Sequence, residues 1–325
     1  MANISAIDTT MPVEAPDSPI ITHLEKRGRV DIADKEQERP LHLYYEIYGR
    51  GSRRVVFVNG MGADRQMWEP DVAELLKHKD KYQCLVYDHR GTGFSDNSDA
   101  GILGYTSSKL AQDLKRLLDA LQWNAVNLVG ASMGGMIAME FACRYPELLN
   151  TLTLVVTNAG LTVPPAKGIR DTIGANFVSD PLERFRGICG SLYTTEYLQG
   201  PAPEGSEHKN MLEYCAHNAV RRSKYTRPMS FWSFLGQVGV VFRHYVSPAR
   251  LQMLGKLLPK NHILIVTGDQ DTLVRTSNSA YLADKIGRDR VIFEIFEGAA
   301  HGLNSQEAAK LIRCIDSMIT QAEET

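Results

Sequence analysis

Residues 126–137 read VNLVGASMGGMI, a short apolar run, then one serine set among three glycines, then apolar residues again. Consecutive apolar positions suit a strand buried on both faces, and glycines suit a turn where backbones approach closely. Gly130-Ala131-Ser132-Met133-Gly134 satisfies G-x-S-x-G. Its surroundings, a buried strand before and a helix after, are those the pattern requires. In such a turn the serine is held in a strained backbone conformation with its Oγ exposed at the top of the sheet. A Cβ at either flanking glycine would collide with the neighbouring strand and helix. The helix that follows points its first amides and positive dipole end toward the serine, where a developing oxyanion is stabilised.

Working outward, the runs at 55–58, 83–87, 152–156, 263–266 and 291–296 are also apolar on consecutive positions. That is the mark of a parallel sheet covered on both faces. Residues 109–122, KLAQDLKRLLDALQ, place Leu110, Leu114, Leu117, Leu118 and Leu121 on one stripe and the charges opposite, as a crossover helix does. Repeated strand-helix-strand units predict an α/β domain with a mostly parallel, doubly wound sheet. The segments 28–32 and 42–48 read as an antiparallel hairpin at the sheet edge. The alternation breaks between Gly160 and about Leu258, where buried strands give way to aromatics and helical stretches, and then resumes. An insertion late in one sheet accounts for that better than a second domain. The expected organisation is a mobile lead-in over 1–25, a core over 26–159 and 251–325, and a helical insertion over 160–250.

The charge balance, 36 Lys and Arg against 38 Asp and Glu, suggests no nucleic-acid partner and no membrane-surface partner. No apolar stretch approaches the roughly 20 residues that cross a bilayer, so no integral membrane segment is expected. The first residues lack a basic start and an apolar core, so no secretory signal is read there. The five cysteines are scattered without C-x-x-C spacing. They are expected as free thiols in a reducing, cytoplasmic setting, with no zinc site. Oligomeric state has no sequence signal.

A serine hydroxyl is a poor nucleophile until a histidine takes its proton and a carboxylate holds that histidine in the right tautomer. These partners should follow in the order Ser, Asp, His at the ends of later strands. The run at 263–266 leads into Thr267-Gly268-Asp269-Gln270-Asp271, and the run at 291–296 into Glu297-Gly298-Ala299-Ala300-His301-Gly302. With these segments the chain resembles the α/β-hydrolase superfamily, GDQDTLV and GAAHGL standing where its members carry the acid and the histidine. Asp271 fits the G-x-x-D spacing better than Asp269. His301 is the one of nine histidines in the required place, and His89 reads as structural.

Two more segments carry the resemblance. Residues 57–62, FVNGMG, match the loop after the third strand, whose backbone N–H joins that of the residue after the nucleophile in an oxyanion hole. That pairs Met61 with Met133. The family usually begins this loop with His-Gly, whereas this chain has Asn59-Gly60. Residues 87–95, YDHRGTGFS, match a D-x-R-G-x-G-x-S turn, in which Arg90 and Asp88 are expected to tie loops together. The resemblance covers 41–160 and 258–310.

The resemblance implies that the insertion forms a lid over the serine. Phe231, Trp232 and Phe234, with Trp68, are expected in the wall of a mostly apolar pocket. Arg221, Arg222, Lys224 and Arg227 are expected on a solvated helix face. The function implied is a cofactor-independent, metal-free serine hydrolase acting on one small-molecule substrate, a small to medium, largely apolar ester, lactone or thioester. Ser132 would attack, His301 would accept its proton and later activate water, and Asp271 would orient His301. Haloalkane dehalogenases and epoxide hydrolases resemble the fold but place an aspartate where Ser132 stands. A triad-bearing lyase, cyclase or acyltransferase of a biosynthetic pathway is the enzymatic alternative. A receptor-like protein with slow turnover is the alternative of another class, distinguished by tight, saturable binding.

Overall fold

The computed structural model describes residues 18–33, 40–78, 80–98 and 101–324. The apolar runs become strands: β1 (Leu24–Asp31), β2 (His42–Tyr48), β3 (Arg53–Val58), β4 (Tyr82–Tyr87), β5 (Val126–Ala131), β6 (Leu149–Val155), β7 (Ile263–Gly268) and β8 (Ile292–Phe296). They form one sheet in the order β1-β2-β4-β3-β5-β6-β7-β8. β1 pairs antiparallel with β2, and β2 antiparallel with β4. From β4 onward every pairing is parallel. The hairpin read from 28–32 and 42–48 is thus the sheet's edge.

Parallel neighbours need crossovers, and helices supply them. These are α1 (Glu69–Leu76), α2 (Ser107–Leu121) and α3 (Met133–Arg144). In α2 the Thr106 hydroxyl accepts the Lys109 amide at 3.1 Å, capping the first turn. The helix then buries Leu110, Leu114, Leu117 and Leu118, and closes at left-handed Gln122. One apolar layer joins α2 and α3 to one face of the sheet. A second joins α1 and the C-terminal α12 (Ala308–Glu323) to the other.

Between β6 and β7 the chain leaves the sheet through α4 (Ala166–Asn176), α5 (Pro181–Leu192), α6 (Thr195–Gln199), α7 (Met211–Ser223) and α8 (Phe231–Arg243), and returns through α9 (Pro248–Leu257). α9 buries Leu251 and Leu254 in the sheet's own core, so the expected boundary at 250 falls inside a core helix. Two of the places where the insertion meets the core involve charged or closely packed residues. Gly236 of α8 lies against the Tyr105 ring, where a side chain would overlap it, and Arg243 donates to the Tyr105 carbonyl at 2.7 Å. On α7, Arg221 and Arg222 both meet Glu69, at 2.5 and 2.9 Å.

That second contact corrects the expectation of a solvated basic face for Arg221 and Arg222, while Lys224 and Arg227 are exposed as expected. Burial alone would push the Glu69 carboxyl up, but Arg222, Arg221 and the Ser18 hydroxyl hold it below its ordinary range. Arg227 sits over the Phe94 ring at 5.5 Å. The lead-in is corrected too. Residues 1–17 lie outside the described residues, whereas Ser18 donates to Glu69 at 2.6 Å and Ile20 is buried. Among the described residues no helix is long and apolar enough to cross a membrane.

Candidate active site

Ser132 stands between β5 and α3 with φ +55 and ψ −120, a conformation L-residues rarely adopt. Such backbone costs about 1–3 kcal/mol and persists only where its surroundings overdetermine it. Here the Ser132 amide donates to the Val155 carbonyl at 2.9 Å, and the Thr157 hydroxyl donates to the Ser132 carbonyl at 2.7 Å. The flanking glycines are required sterically. A Cβ on Gly130 would overlap the Gly134 carbonyl, and one on Gly134 would overlap that of Val58.

Asp271 follows β7 and His301 follows β8. His301 Nδ1 meets Asp271 Oδ2 at 2.8 Å. A carboxylate at Nδ1 accepts a hydrogen bond from the ring N–H there, which keeps the proton on Nδ1 and leaves Nε2 as the free acceptor. The other Asp271 oxygen accepts the Leu273 and Val274 amides at 2.7 and 2.8 Å. Asp269 is exposed and instead accepts the Gly298 amide at 2.8 Å, shaping the loop that carries His301. Ser132, His301 and Met61 share the wall of one cavity of about 1420 Å³ between the carboxyl ends of the strands and the insertion.

In the loop after β3, the Gly60 amide lies 3.3 Å from Met67 Sδ, and the Gly62 amide donates to Gln237 Oε1 at 2.9 Å. Between them, the Met61 amide meets no acceptor among the described residues. The Met133 amide opens α3, where the first turn of any helix has no intrahelical partner. Asn59, standing where a histidine is usual, braces this loop: its side chain donates to the Tyr87 carbonyl at 2.7 Å. His89 Nε2 reaches the Asn59 carbonyl at 3.1 Å. Burial pushes the His89 ring down to about 4, so it is neutral and structural. Arg90 forks onto Asp113 at 2.5 and 2.6 Å, while Asp88 accepts the Arg65 and Phe94 amides at 2.9 Å each. Asp88 thus ties loops together as expected, whereas Arg90 ties its loop to helix α2.

The pocket wall differs from the expectation. Trp68 is fully buried, 4.9 Å from the Phe57 ring, and is core packing. Phe231 and Trp232 are 51% and 64% exposed and lie outside the cavity. α8 buries Ser233, Phe234, Gly236, Gln237 and Val240. The helical period therefore turns Phe231 and Trp232 outward and leaves Phe234 as the one of the three that lines the cavity. Tyr193 and Tyr197, stacked at 5.4 Å, line it as well, as do Arg221, Arg222 and Glu69. The wall is thus more polar on one side than expected. Gln237 was also missed. Its signal was present, one amide in the otherwise apolar run SFLGQVGVV.

The sequence model described as "alpha/beta hydrolase fold" matches residues 53–308. A Pantoea ananatis protein named "Putative carbamate hydrolase RutD" is 34% identical over 116 residues, which are 35% of this chain and 40% of that protein's own length. The Agrobacterium fabrum protein of the same name is 24% identical over 276 residues, 82% of this chain and 93% of its own. Among solved structures, the enol-lactonase from Burkholderia xenovorans superposes with a TM-score of 0.67 at 21% identity, over 86% of this chain and 97% of the other. With a family match running from the start of β3 to the start of the C-terminal helix, the chain belongs to the α/β-hydrolase family.

Proposed function

We propose that the protein is a cofactor-independent serine hydrolase that cleaves a medium-sized ester, lactone or thioester through an acyl-enzyme, with the insertion acting as a lid. The observation that carries this reading is Ser132, held at φ +55 on the wall of the cavity that His301 enters with Asp271 bonded behind it. In this mechanism His301 Nε2 takes the Ser132 proton as Oγ attacks the carbonyl carbon. The tetrahedral oxyanion is stabilised by the amides of Met61 and Met133, the leaving group departs with the proton, and a water activated by the same ring frees the acid. Asp271 holds the ring and stabilises its cation.

The cavity, at about 1420 Å³, exceeds the usual range for a small-molecule site and favours the larger end of the substrate range. The names borne by relatives and structural neighbours, a carbamate hydrolase and an enol-lactonase, support acyl chemistry on a carbonyl centre. The test is labelling by a fluorophosphonate probe with peptide mapping, beside a panel of p-nitrophenyl esters and lactones. Covalent modification at Ser132 together with saturable ester turnover is expected. An unlabelled protein that binds but does not turn over these compounds would replace this reading with the receptor-like one.

A further inference from the structure

The buried stripe of α8 contains one side chain that core packing does not explain. Gln237 has no exposure, and a buried amide costs free energy unless both its ends are paired. Both are: Oε1 accepts the Gly62 amide at 2.9 Å, and Nε2 donates to Thr92 Oγ1 at 2.9 Å. Because a backbone N–H can only donate, the contact with Gly62 sets which end of the side chain is the oxygen. A single residue of the insertion therefore ties down the loop after β3 and the loop after β4.

The consequence falls on Met61. Gly60, on one side of it, is held by Met67, and Gly62, on the other, by Gln237. Gly62 sits at φ +75, and nothing fills the space that a Cβ would take there. The Ala63 amide closes the turn on the Gly60 carbonyl at 3.4 Å, and the hydrogen bond from α8 adds the tie that reaches the Gly62 amide from outside the loop. α8 itself is docked independently, through Gly236 and Ser233 on Tyr105 and through Arg243 on the Tyr105 carbonyl. We propose that Gln237 is a positioning residue, which keeps the Met61 amide aimed at the developing oxyanion and makes acyl transfer depend on the seating of α8. This rests on the roles proposed above for Ser132 and the Met61 amide.

The experiment compares the parent with Gln237→Met, a change of similar volume that removes both hydrogen bonds. A misplaced donor weakens the transition state and leaves ground-state binding alone. For p-nitrophenyl acetate, kcat is expected to fall roughly 10- to 100-fold with little change in KM. The inhibition constant of an alkylboronic acid, whose tetrahedral anion needs the same donors, should rise by a similar factor. Parental kcat and boronate affinity at an unchanged Tm would overturn the proposal. So would a fall in kcat with no loss of boronate affinity, the mark of general loosening.

If Gln237→Met does not fold, Gln237→Glu keeps an acceptor for Gly62 and adds a charge only when ionised. Because the Gly62 amide keeps its acceptor in either protonation state, kcat and boronate affinity should stay within a few-fold of the parent's, and a loss of roughly 10-fold or more in both at an unchanged Tm would overturn the proposal. Fluorophosphonate labelling of the parent separates the two levels. A parent unlabelled at Ser132 brings down the hydrolase reading and this inference together, whereas a labelled, active parent with an indifferent Gln237→Met variant sinks the inference alone.

Discussion

Asp271 and His301 meet at 2.8 Å, and the oxygen of Asp271 that does not face the ring is taken by the Leu273 and Val274 amides. With both oxygens engaged the carboxylate cannot rotate away, so the ring is presented in one tautomer and one orientation. Asp271→Asn is therefore expected to lower kcat on the order of 10³-fold or more, because the amide nitrogen cannot accept the Nδ1 proton and favours the other tautomer. Asp269→Asn, which touches only the exposed Gly298 turn, should leave kcat near the parent's. Steady-state kinetics of both variants on one ester decide the matter, and a larger loss at Asp269 would reassign the acid.

Ser132 combines chemistry with strain, and two substitutions separate them. Ser132→Ala removes the hydroxyl but keeps a Cβ at φ +55, while Ser132→Gly removes both. Each should cost on the order of 10³-fold or more in kcat. The glycine variant should in addition be the more stable of the two by about 1 kcal/mol, because relief of left-handed strain exceeds the added entropy of the unfolded chain. Thermal melts side by side give the answer, and a glycine variant that melts below the alanine one would mean that the strain is fully relieved by its neighbours.

The exposure pattern of α8 predicts which aromatic of the insertion sets substrate preference. Phe234 is buried against the cavity and Trp232 stands in solvent. Phe234→Ala should lower kcat/KM for long acyl chains relative to acetyl by roughly 10-fold or more, the worth of losing most of one aromatic contact. Trp232→Ala should leave the profile of p-nitrophenyl acetyl to octanoyl esters unchanged. If the two variants give the same profile, α8 does not present Phe234 to the acyl group.

Legibility in the sequence followed the range of the interactions involved. Runs such as VVFV at 55–58 and ILIV at 263–266 declare buried parallel strands because their neighbours along the chain carry the signal, and the G-x-S-x-G turn is defined by local sterics at Gly130 and Gly134. The G-x-x-D spacing selected Asp271 over Asp269 for the same reason. Helical spacing in the insertion announced that Phe231, Trp232 and Phe234 share a helix, but the face turned to the core depends on Tyr105 and Gln237, which meet partners far away in sequence. The Arg221 and Arg222 contacts with Glu69 span 152 and 153 residues, so the cluster looked like a solvated face until the chain was folded.

Two buried imidazoles predict acid lability in a specific window. Burial pushes the rings of His89 and His244 down to about 4; for His244, Glu140 pushes the other way and Arg250 reinforces the shift, both by smaller amounts. In the unfolded chain each ring protonates near its ordinary value of about 6.5. Between those values the unfolded state binds more protons than the folded one, so stability is complete above about pH 6.5 and is lost as pH falls toward 4. At pH 5 the loss amounts to about 2 kcal/mol per ring. Carboxylates held low by partners, such as Glu69 and Glu140, add their losses only at lower pH, where the unfolded chain takes up protons that the folded carboxylates still exclude. Burial holds the Asp71, Asp88 and Asp113 carboxyls above their ordinary range, so proton uptake there in the folded chain opposes this loss, and urea unfolding at pH 7.5, 6 and 5 reads the sum of the two. The slope should be shallower in His89→Gln and in His244→Gln, each measured against its own pH 7.5 value. A pH dependence that is the same in the parent and in both variants would mean that both rings accept protons in the folded state.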